Sequence, residues 1–410
     1  MNAARDPIGS ERIYDVIAAG HICLDIIPAF PDTKTQDIGL LLRPGKLVNV
    51  GPAAISTGGP VSNTGLAMKK LGLRVAFMAK VGDDDFGYLI RERLRRVDGE
   101  MGISVARGEA SSYTVALAPP GIDRIFLHNP GTNDTFGAED VDFEVVEKAK
   151  VFHLGYPPLM RRLFNDGGSE LVEIFRRAQE AGAITSLDMS LPDPASESGR
   201  APWREILERL LPYVDLFLPS VSEAYYMWAP ERFLADKDRA AGGDIVEALG
   251  ARTYSELGEA FLAMGARVVM LKAAANGTYL RTGRVGKLGD ATIGVPRDPE
   301  QWSEREIWCP SFHVPRIASA TGSGDSAIAG FLAAFIRGFD PVTVLKYANC
   351  LGYQNLHALD ALSGIRTWEE TTALLQSRQL RMNPLNIDEP GWHWEEGEGV
   401  WLGPADQSRG

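Results

Sequence analysis

The sequence predicts an α/β fold: a doubly wound, mostly parallel central sheet with helices on both faces, and a small antiparallel β lid standing off it. Three observations predict this. From about residue 140, short apolar runs at 150–154, 183–188, 214–219 and 268–272 alternate with helical runs such as 171–181 and 203–211, the rhythm of parallel strands joined by crossover helices. Two pairs of short apolar runs, 38–42 with 47–50 and 112–118 with 124–128, are joined by Arg43-Pro44-Gly45 and Pro119-Pro120-Gly121. With no helix between partners, these pairs read as hairpins outside a parallel sheet. Finally, the run 326–337 is apolar on nearly every side, which marks a buried helix.

Composition bounds the function. A chain of 410 residues buries a large core, and with no repeat or true linker it reads as one domain over 1–410, with lid segments near 28–57 and 110–130 inserted in it. The net charge of −12 gives no basic face for a phosphate backbone, so no nucleic-acid partner is expected. Cys23, Cys309 and Cys350 are widely separated with no Cys-x-x-Cys. Neither a disulfide framework nor a zinc site is indicated, and a reducing cytoplasm fits best. No apolar run approaches the roughly 18 residues of a membrane span, and residues 1–11 are polar and charged, unlike a signal peptide. A soluble, cytoplasmic protein with no membrane partner is expected.

Taken in order, the first strand over 14–20 leads through a turn at His21 and Cys23 to Asp25. That places Asp25 just past a strand's carboxyl end, where ligand groups lie in an open sheet; a solvated turn residue accounts for it equally well. Between the hairpins comes Thr57-Gly58-Gly59-Pro60-Val61-Ser62-Asn63, then a helical run to Leu71 ended by Gly72. Paired glycines let backbone approach a ligand closely, and Asn63 brings a donor and an acceptor suited to hydroxyl groups. Strand 75–80 follows. Several later strands end in polar residues, Asp188, Ser220 with Glu223, and Lys272, which line one edge of the predicted sheet with a ligand crevice. The stretch 282–316 reads as an insertion or an extended edge hairpin, 341–359 and 367–379 as helices, and the acidic tail from Asn383 shows no periodicity.

The central loop is Ser319-Ala320-Thr321-Gly322-Ser323-Gly324-Asp325, which opens into the buried helix. A Gly-Ser-Gly turn at a helix start aims unpaired N–H groups and the positive end of the helix dipole at one spot, a binding site for phosphate. A carboxylate in that loop repels a resting phosphate, yet beside a hydroxyl nucleophile it can take the proton released during phosphoryl transfer. On the heptapeptide alone a simple helix cap accounts better for Asp325; the rest of the chain has to decide. The six histidines show no zinc spacing, none is assigned to catalysis, and His128 at the end of a lid strand reads as packed or solvent-facing.

The two glycine patterns occur together, in order and well separated, and with them the chain resembles the ribokinase-like (PfkB-type) carbohydrate kinases over almost its whole length. Their first signature looks like Gly58-Gly59-Pro60 with Asn63, Gly72, Gly82, Asp84 and Gly87, and their second like Thr321-Gly322-Ser323-Gly324-Asp325. The resemblance implies that Asp325 is the catalytic base and that Gly322, Ser323 and Gly324 form an anion hole. It also implies that Asp25, Gly58, Gly59 and Asn63 hold sugar hydroxyls. Ser220, Lys272, Asn276, Gly277 and Asn349 then border the nucleotide, with Glu223 acting on Mg²⁺, directly or through water. Three departures stand out: Ser220 replaces the usual Asn of an Asn-x-x-Glu motif, Ala274 stands where Gly is common, and Ser319 replaces an acid that often begins the second signature. The last lowers the expectation of potassium activation, while the magnesium requirement is retained.

The implied function is an ATP- and Mg²⁺-dependent kinase acting on a primary hydroxyl of a small sugar or sugar-like molecule, and a homodimer through the lid. A nucleoside kinase of the same fold is the nearest alternative. A ligand-binding relative without turnover is a further one. A dinucleotide-dependent oxidoreductase fits Gly322-Ser323-Gly324-Asp325-Ser326-Ala327 literally, but the loop lies late in the chain and carries an Asp where pyrophosphate would sit.

Overall fold

The computed structural model describes residues 12–31, 37–97, 102–120, 122, 125–240, 243–377 and 379–406. In chain order the strands are β1 (Tyr14–Gly20), β2 (Cys23–Pro28), β3 (Ala53–Gly58), β4 (Val75–Gly82), β5 (Ile103–Ala106), β6 (Tyr113–Leu117) and β7 (Ile125–Asn129). They continue with β8 (Ala149–Gly155), β9 (Ile184–Asp188), β10 (Leu216–Phe217), β11 (Val268–Lys272), β12 (Thr278–Thr282), β13 (Glu306–Cys309), β14 (His393–Glu395) and β15 (Val400–Leu402).

An 11-stranded sheet runs β14-β15-β13-β12-β11-β10-β9-β8-β1-β4-β5. From β5 to β11 every pairing is parallel, and from β11 to β14 every pairing is antiparallel. The central strands are apolar on both sides because helices cover both faces. In β1, Val16 and Ala18 join one core cluster while Ile17 and Ala19 join the other, all nearly inaccessible. The Ser323–Ile336 helix belongs to the first cluster and is buried from Asp325 through Ile336, as its unbroken apolar run requires.

The lid is a four-stranded sheet ordered β3-β2-β6-β7, with β2–β6 parallel and the outer pairs antiparallel. Its second hairpin, β6–β7, lies where the sequence places it, although Gly121 and Arg124 fall outside the described residues. Its first pair is different. Residues 38–42 and 47–50 are not strands: Ile38–Leu41 is a single helical turn started by Asp37, whose Oδ1 accepts from the Gly39 N–H at 2.8 Å, and Leu47 is 85% exposed. A short apolar run does not distinguish turn, helix and strand by itself. The true partners are β2 and β3, the latter built from the small and polar residues Ala53–Gly58 that carry little strand signal. Asp25 accordingly sits on a lid strand, opposite Ser56, and not at the mouth of the parallel sheet.

The stretch 282–316 is the long connection of an antiparallel hairpin, β12–β13, which is not at the sheet's edge as expected because β15 and β14 add beyond β13. The acidic tail contributes β14 and β15, strands of three residues that are too short for any periodicity to show.

Candidate active site

Asp325 sits in the first turn of the Ser323–Ile336 helix and is 2% exposed. Gly322 precedes it at φ 76°, the left-handed conformation that glycine adopts without cost and that lets the loop turn into the helix. The Ser323 N–H already donates to the Ala320 carbonyl at 3.2 Å. The N–H groups of Gly324 and Asp325, lying within the first helical turn, have no carbonyl of their own helix to bond. The helix start therefore presents two N–H groups unpaired within the helix, with a carboxylate beside them.

Both carboxylate oxygens of Asp325 are held. Asn63 Nδ2 donates to Oδ2 at 2.9 Å, the Tyr156 hydroxyl donates to Oδ1 at 2.9 Å, and Thr64 Oγ1 reaches Oδ1 at 3.5 Å. The contact with Asn63 joins the two glycine motifs, separated by more than half the chain, at one carboxylate. Tyr156 was not foreseen. It follows β8 in the left-handed conformation (φ 66°, ψ 42°), unusual for a residue with a side chain, and its ring turns back toward the site.

The glycine pair Gly58-Gly59 makes room for side chains of the protein itself. A Cβ on Gly58 would lie 2.2 Å from Asp25 Oδ2, and one on Gly59 would lie 2.5 Å from His21 Nδ1. Asp25 and His21 thus pack directly onto the turn that starts the Pro60–Lys70 helix. Burial pushes the Asp25 carboxyl up to about 6, partly offset by its contacts with Cys23 and Thr114 and reinforced by the charge of Asp325. His21 is buried, and burial together with His128 pushes its imidazole down to about 3.

On the other side of Asp325 opens a cavity of about 800 Å³. Ser220, Glu223, Lys272, Gly277 and Asn349 line it, together with Gly322, Ser323, Gly324 and Asp325. Asn276 is not among the lining residues; its carbonyl accepts from Trp308 Nε1 at 2.9 Å. Asn349 spends its amide on the carbonyls of Cys309 and Pro310, at 3.0 and 3.1 Å. Ser220 and Glu223 form a capping box at the start of the Val221–Trp228 helix, in which the Glu223 carboxylate accepts from the Ser220 N–H at 2.6 Å. Serine suits that cap as well as asparagine does.

Lys272, at the end of β11, donates to Asp188 Oδ1 at 2.6 Å. Its ammonium lies 3.9 Å from where a side chain on Gly324 would begin, so a positive charge flanks the loop. Burial opposes that charge, but Asp188, Glu223 and Asp325 outweigh it and raise the Lys272 pKa. Asp188, at the end of β9, is the second residue whose role was not foreseen, although its place at a strand's end was. Its Oδ2 is buried with no hydrogen-bond partner among the described residues.

Residues 20–365 match the family model described as "pfkB family carbohydrate kinase". The chain belongs to that family. Among pfkB relatives, fructokinase-1 of Zea mays is 26% identical over 191 residues, 45% of this chain and 54% of its own length. The chain spans about half the length of the curated relatives it matches. Among solved structures, the Arabidopsis thaliana ribokinase complexed with ribose and ATP superposes with a TM-score of 0.63 at 16% identity, over 88% of this chain and 99% of its own. The Xylella fastidiosa fructokinase with bound ATP superposes with a TM-score of 0.63 at 18% identity, over 88% of this chain and 98% of its own. At those identities the likeness establishes the ribokinase fold, with its central sheet and separate small sheet. Among the described residues, no helix is long and apolar enough to cross a membrane.

Proposed function

We propose that this chain is an ATP-dependent kinase that transfers the γ-phosphate to a primary hydroxyl of a small sugar or sugar-like molecule. The observation that carries the reading is Asp325: a buried carboxylate in the first turn of a helix, oriented through both oxygens and lining the large cavity. The sugar lies between the lid and Asp325, with Asp25 and Asn63 reading its hydroxyls. ATP occupies the cavity, bordered by Lys272, Gly277 and Asn349. Its γ-phosphate meets the N–H groups of Gly324 and Asp325 at the helix start.

In this arrangement Asp325 accepts the proton of the attacking hydroxyl as the new P–O bond forms, and the bond to the leaving ADP oxygen breaks on the opposite side. The helix-start N–H groups and the Lys272 ammonium stabilise the negative charge on the transferring phosphoryl group without having to reorganise. Lid closure over the sugar excludes water, a competing acceptor. Glu223 and the unpartnered Asp188 Oδ2 are the oxygens suited to hold Mg²⁺, directly or through water, and bound Mg²⁺ supplies neutralisation of the β- and γ-phosphates.

The lid's Ile55, Ile125 and Leu127 lie on one face of its sheet and are exposed, Leu127 at 54%. An apolar sheet face of this kind invites cover, and we assign that cover to a second copy of the chain. ATP consumption measured against a panel of sugars and nucleosides tests the whole reading. Turnover with sugars supports it, turnover confined to nucleosides replaces it by the nucleoside kinase, and binding of ATP without turnover on any acceptor overturns it.

A further inference from the structure

One wall of the large cavity comes from beyond residue 365, where the match to the family model ends. Asn383, in the segment that follows the Trp368–Gln376 helix, lines the cavity. The segment runs antiparallel along residues 311–313, the stretch that leaves β13. The His313 N–H donates to the Arg381 carbonyl at 2.7 Å, the Asn383 N–H donates to the Ser311 carbonyl at 2.8 Å, and Phe312 stands opposite Met382 between them. Farther along, the Leu385 carbonyl accepts from Trp401 Nε1 at 3.1 Å, which ties the segment to β15 and so to the large sheet.

Every polar atom of the Asn383 side chain is engaged. Its Nδ2 donates to the Ala275 carbonyl at 3.2 Å and to Ser311 Oγ at 2.8 Å, and its Oδ1 accepts from His313 Nδ1 at 3.0 Å. The Ser311 hydroxyl donates to the same Ala275 carbonyl. A carbonyl can only accept, so the amide must turn its NH₂ to Ala275 and its oxygen to His313. One side chain thereby fastens two walls of the cavity to each other, the Ala274–Gly277 turn after β11 and the 311–313 stretch after β13.

The turn needs such a hold. Ala274 stands at φ 47°, a left-handed conformation that a residue with a Cβ keeps only where its surroundings impose it. Gly277, at the end of the turn, is pressed against the second wall: a Cβ there would lie 2.1 Å from the Cys309 carbonyl oxygen and 2.5 Å from the Ser311 nitrogen. None of the Asn383 hydrogen bonds reaches Asp325, Lys272 or the start of the Ser323–Ile336 helix.

Resting on the kinase reading above, we propose that Asn383 is a positioning residue of the nucleotide site. It acts through the Ala274–Gly277 turn and the 311–313 stretch, holding the two walls in one arrangement before ATP arrives. ATP then meets a formed cavity and loses no affinity to ordering it. Because the reacting groups lie elsewhere, Asn383 bears on the binding of ATP and not on transfer once ATP is bound.

The test uses the full chain and its Asn383→Ala, Asn383→Asp and Ser311→Ala variants. Asn383→Asp is the most informative, since it keeps the shape and the acceptor for His313 but turns the donor that faces Ala275 into a second acceptor. ATP binding is measured by calorimetry with Mg²⁺ and no sugar, and steady-state constants are measured with whichever sugar the wild type turns over best. Both Asn383 variants are expected to bind ATP about 5- to 50-fold more weakly and to raise KM for ATP by a similar factor, with kcat, KM for the sugar and Tm little changed. Ser311→Ala should show part of the loss, and adding it to Asn383→Asp should cost less than the product of the two single effects, because both cut one link. Unchanged ATP affinity in Asn383→Asp, a fall in kcat or a rise in sugar KM as large as the ATP effect, or a lower Tm with ATP affinity intact would each overturn the assignment and leave the kinase reading in place. If the wild type binds no ATP, the kinase reading fails and this inference falls with it.

Discussion

Asp325 is gripped at one oxygen by Asn63 and at the other by Tyr156, so its exchange for asparagine changes chemistry more than structure. Asp325→Asn is expected to lower kcat about 10²–10⁴-fold with the melting temperature little changed; near-normal turnover by the folded variant would remove the base assignment. Asp25 offers a pH signature. Its carboxyl, pushed up to about 6 by burial, is ionised and able to accept hydroxyls above that pH and loses this ability as pH falls through it. A plot of kcat/KM against pH should show an acid limb near 6 that is absent from Asp25→Asn at its lower plateau. The same raised value sets the sign for stability: the favourable contribution of protonated Asp25 is present below the ordinary carboxylate range and is lost as pH rises through about 6. Asp25→Asn should therefore raise Tm at pH 7 and leave it unchanged at pH 3. Ala274 stands where family members commonly have glycine, and it holds φ 47°, a left-handed value that costs a residue with a Cβ about 1 kcal/mol. Ala274→Gly should relieve that strain and stabilise the protein by up to about 1 kcal/mol in urea unfolding, less whatever chain entropy the glycine adds to the unfolded state.

At the scale of elements, the start of β1 is tied to its neighbours by one carboxylate. Asp15 accepts from the Arg74 backbone and side chain ahead of β4 and pairs with Lys150 on β8 at 2.9 Å. Burial by itself would raise its pKa, but Arg74 and Lys150 outweigh burial and hold it at about 2. A depressed carboxylate stabilises above its unfolded value near 4 and ceases to as pH falls through about 2. Asp15→Asn should cost about 2 kcal/mol at pH 7 and almost nothing at pH 2, as read from urea midpoints. Elements also set how much the sequence discloses. The strand and helix alternation after residue 140, the β6–β7 hairpin and the buried Ser323–Ile336 helix are legible because each carries its own periodicity. Gly322-Ser323-Gly324-Asp325 and Asn63 are legible because two glycine patterns occur together, in order and well separated, although the loop alone reads better as a helix cap. β3 is hidden by its small residues, and β14 and β15 by their brevity. Asp25 is legible as a ligand group but not as part of the lid, since its strand partner Ser56 is distant in sequence. Tyr156 gives no signal and Asp188 shows only as a polar strand end, because their roles rest on meeting Asp325 and Lys272 from other elements.

For the molecule as a whole, the exposed lid face predicts a dimer. Light scattering at micromolar concentration should give twice the chain mass, and Ile55→Asp with Leu127→Asp should shift it to the monomer; a wild-type monomer under those conditions would discount the lid as an interface. The antiparallel extension of the large sheet has a consequence of another kind. β13 pairs with β15 through Ile307 with Leu402 and Trp308 with Trp401. The buried carboxylate of Glu306 accepts from the Ala405 N–H, and Asp406 accepts from the Arg305 side chain. Everything on that edge waits for residues that a ribosome makes long after β13 itself. At about 5–20 residues per second, the interval between Cys309 and Val400 lasts on the order of 5–20 s. During that time a nascent chain presents the bare edge of β13 to its surroundings, beside a parallel half whose strands are already complete. The tail therefore sets the timing of safe folding, and a ribosome stalled between the codons of Asn349 and Val400 would leave a protein whose proposed catalytic residues are all made and whose sheet is still open to another chain.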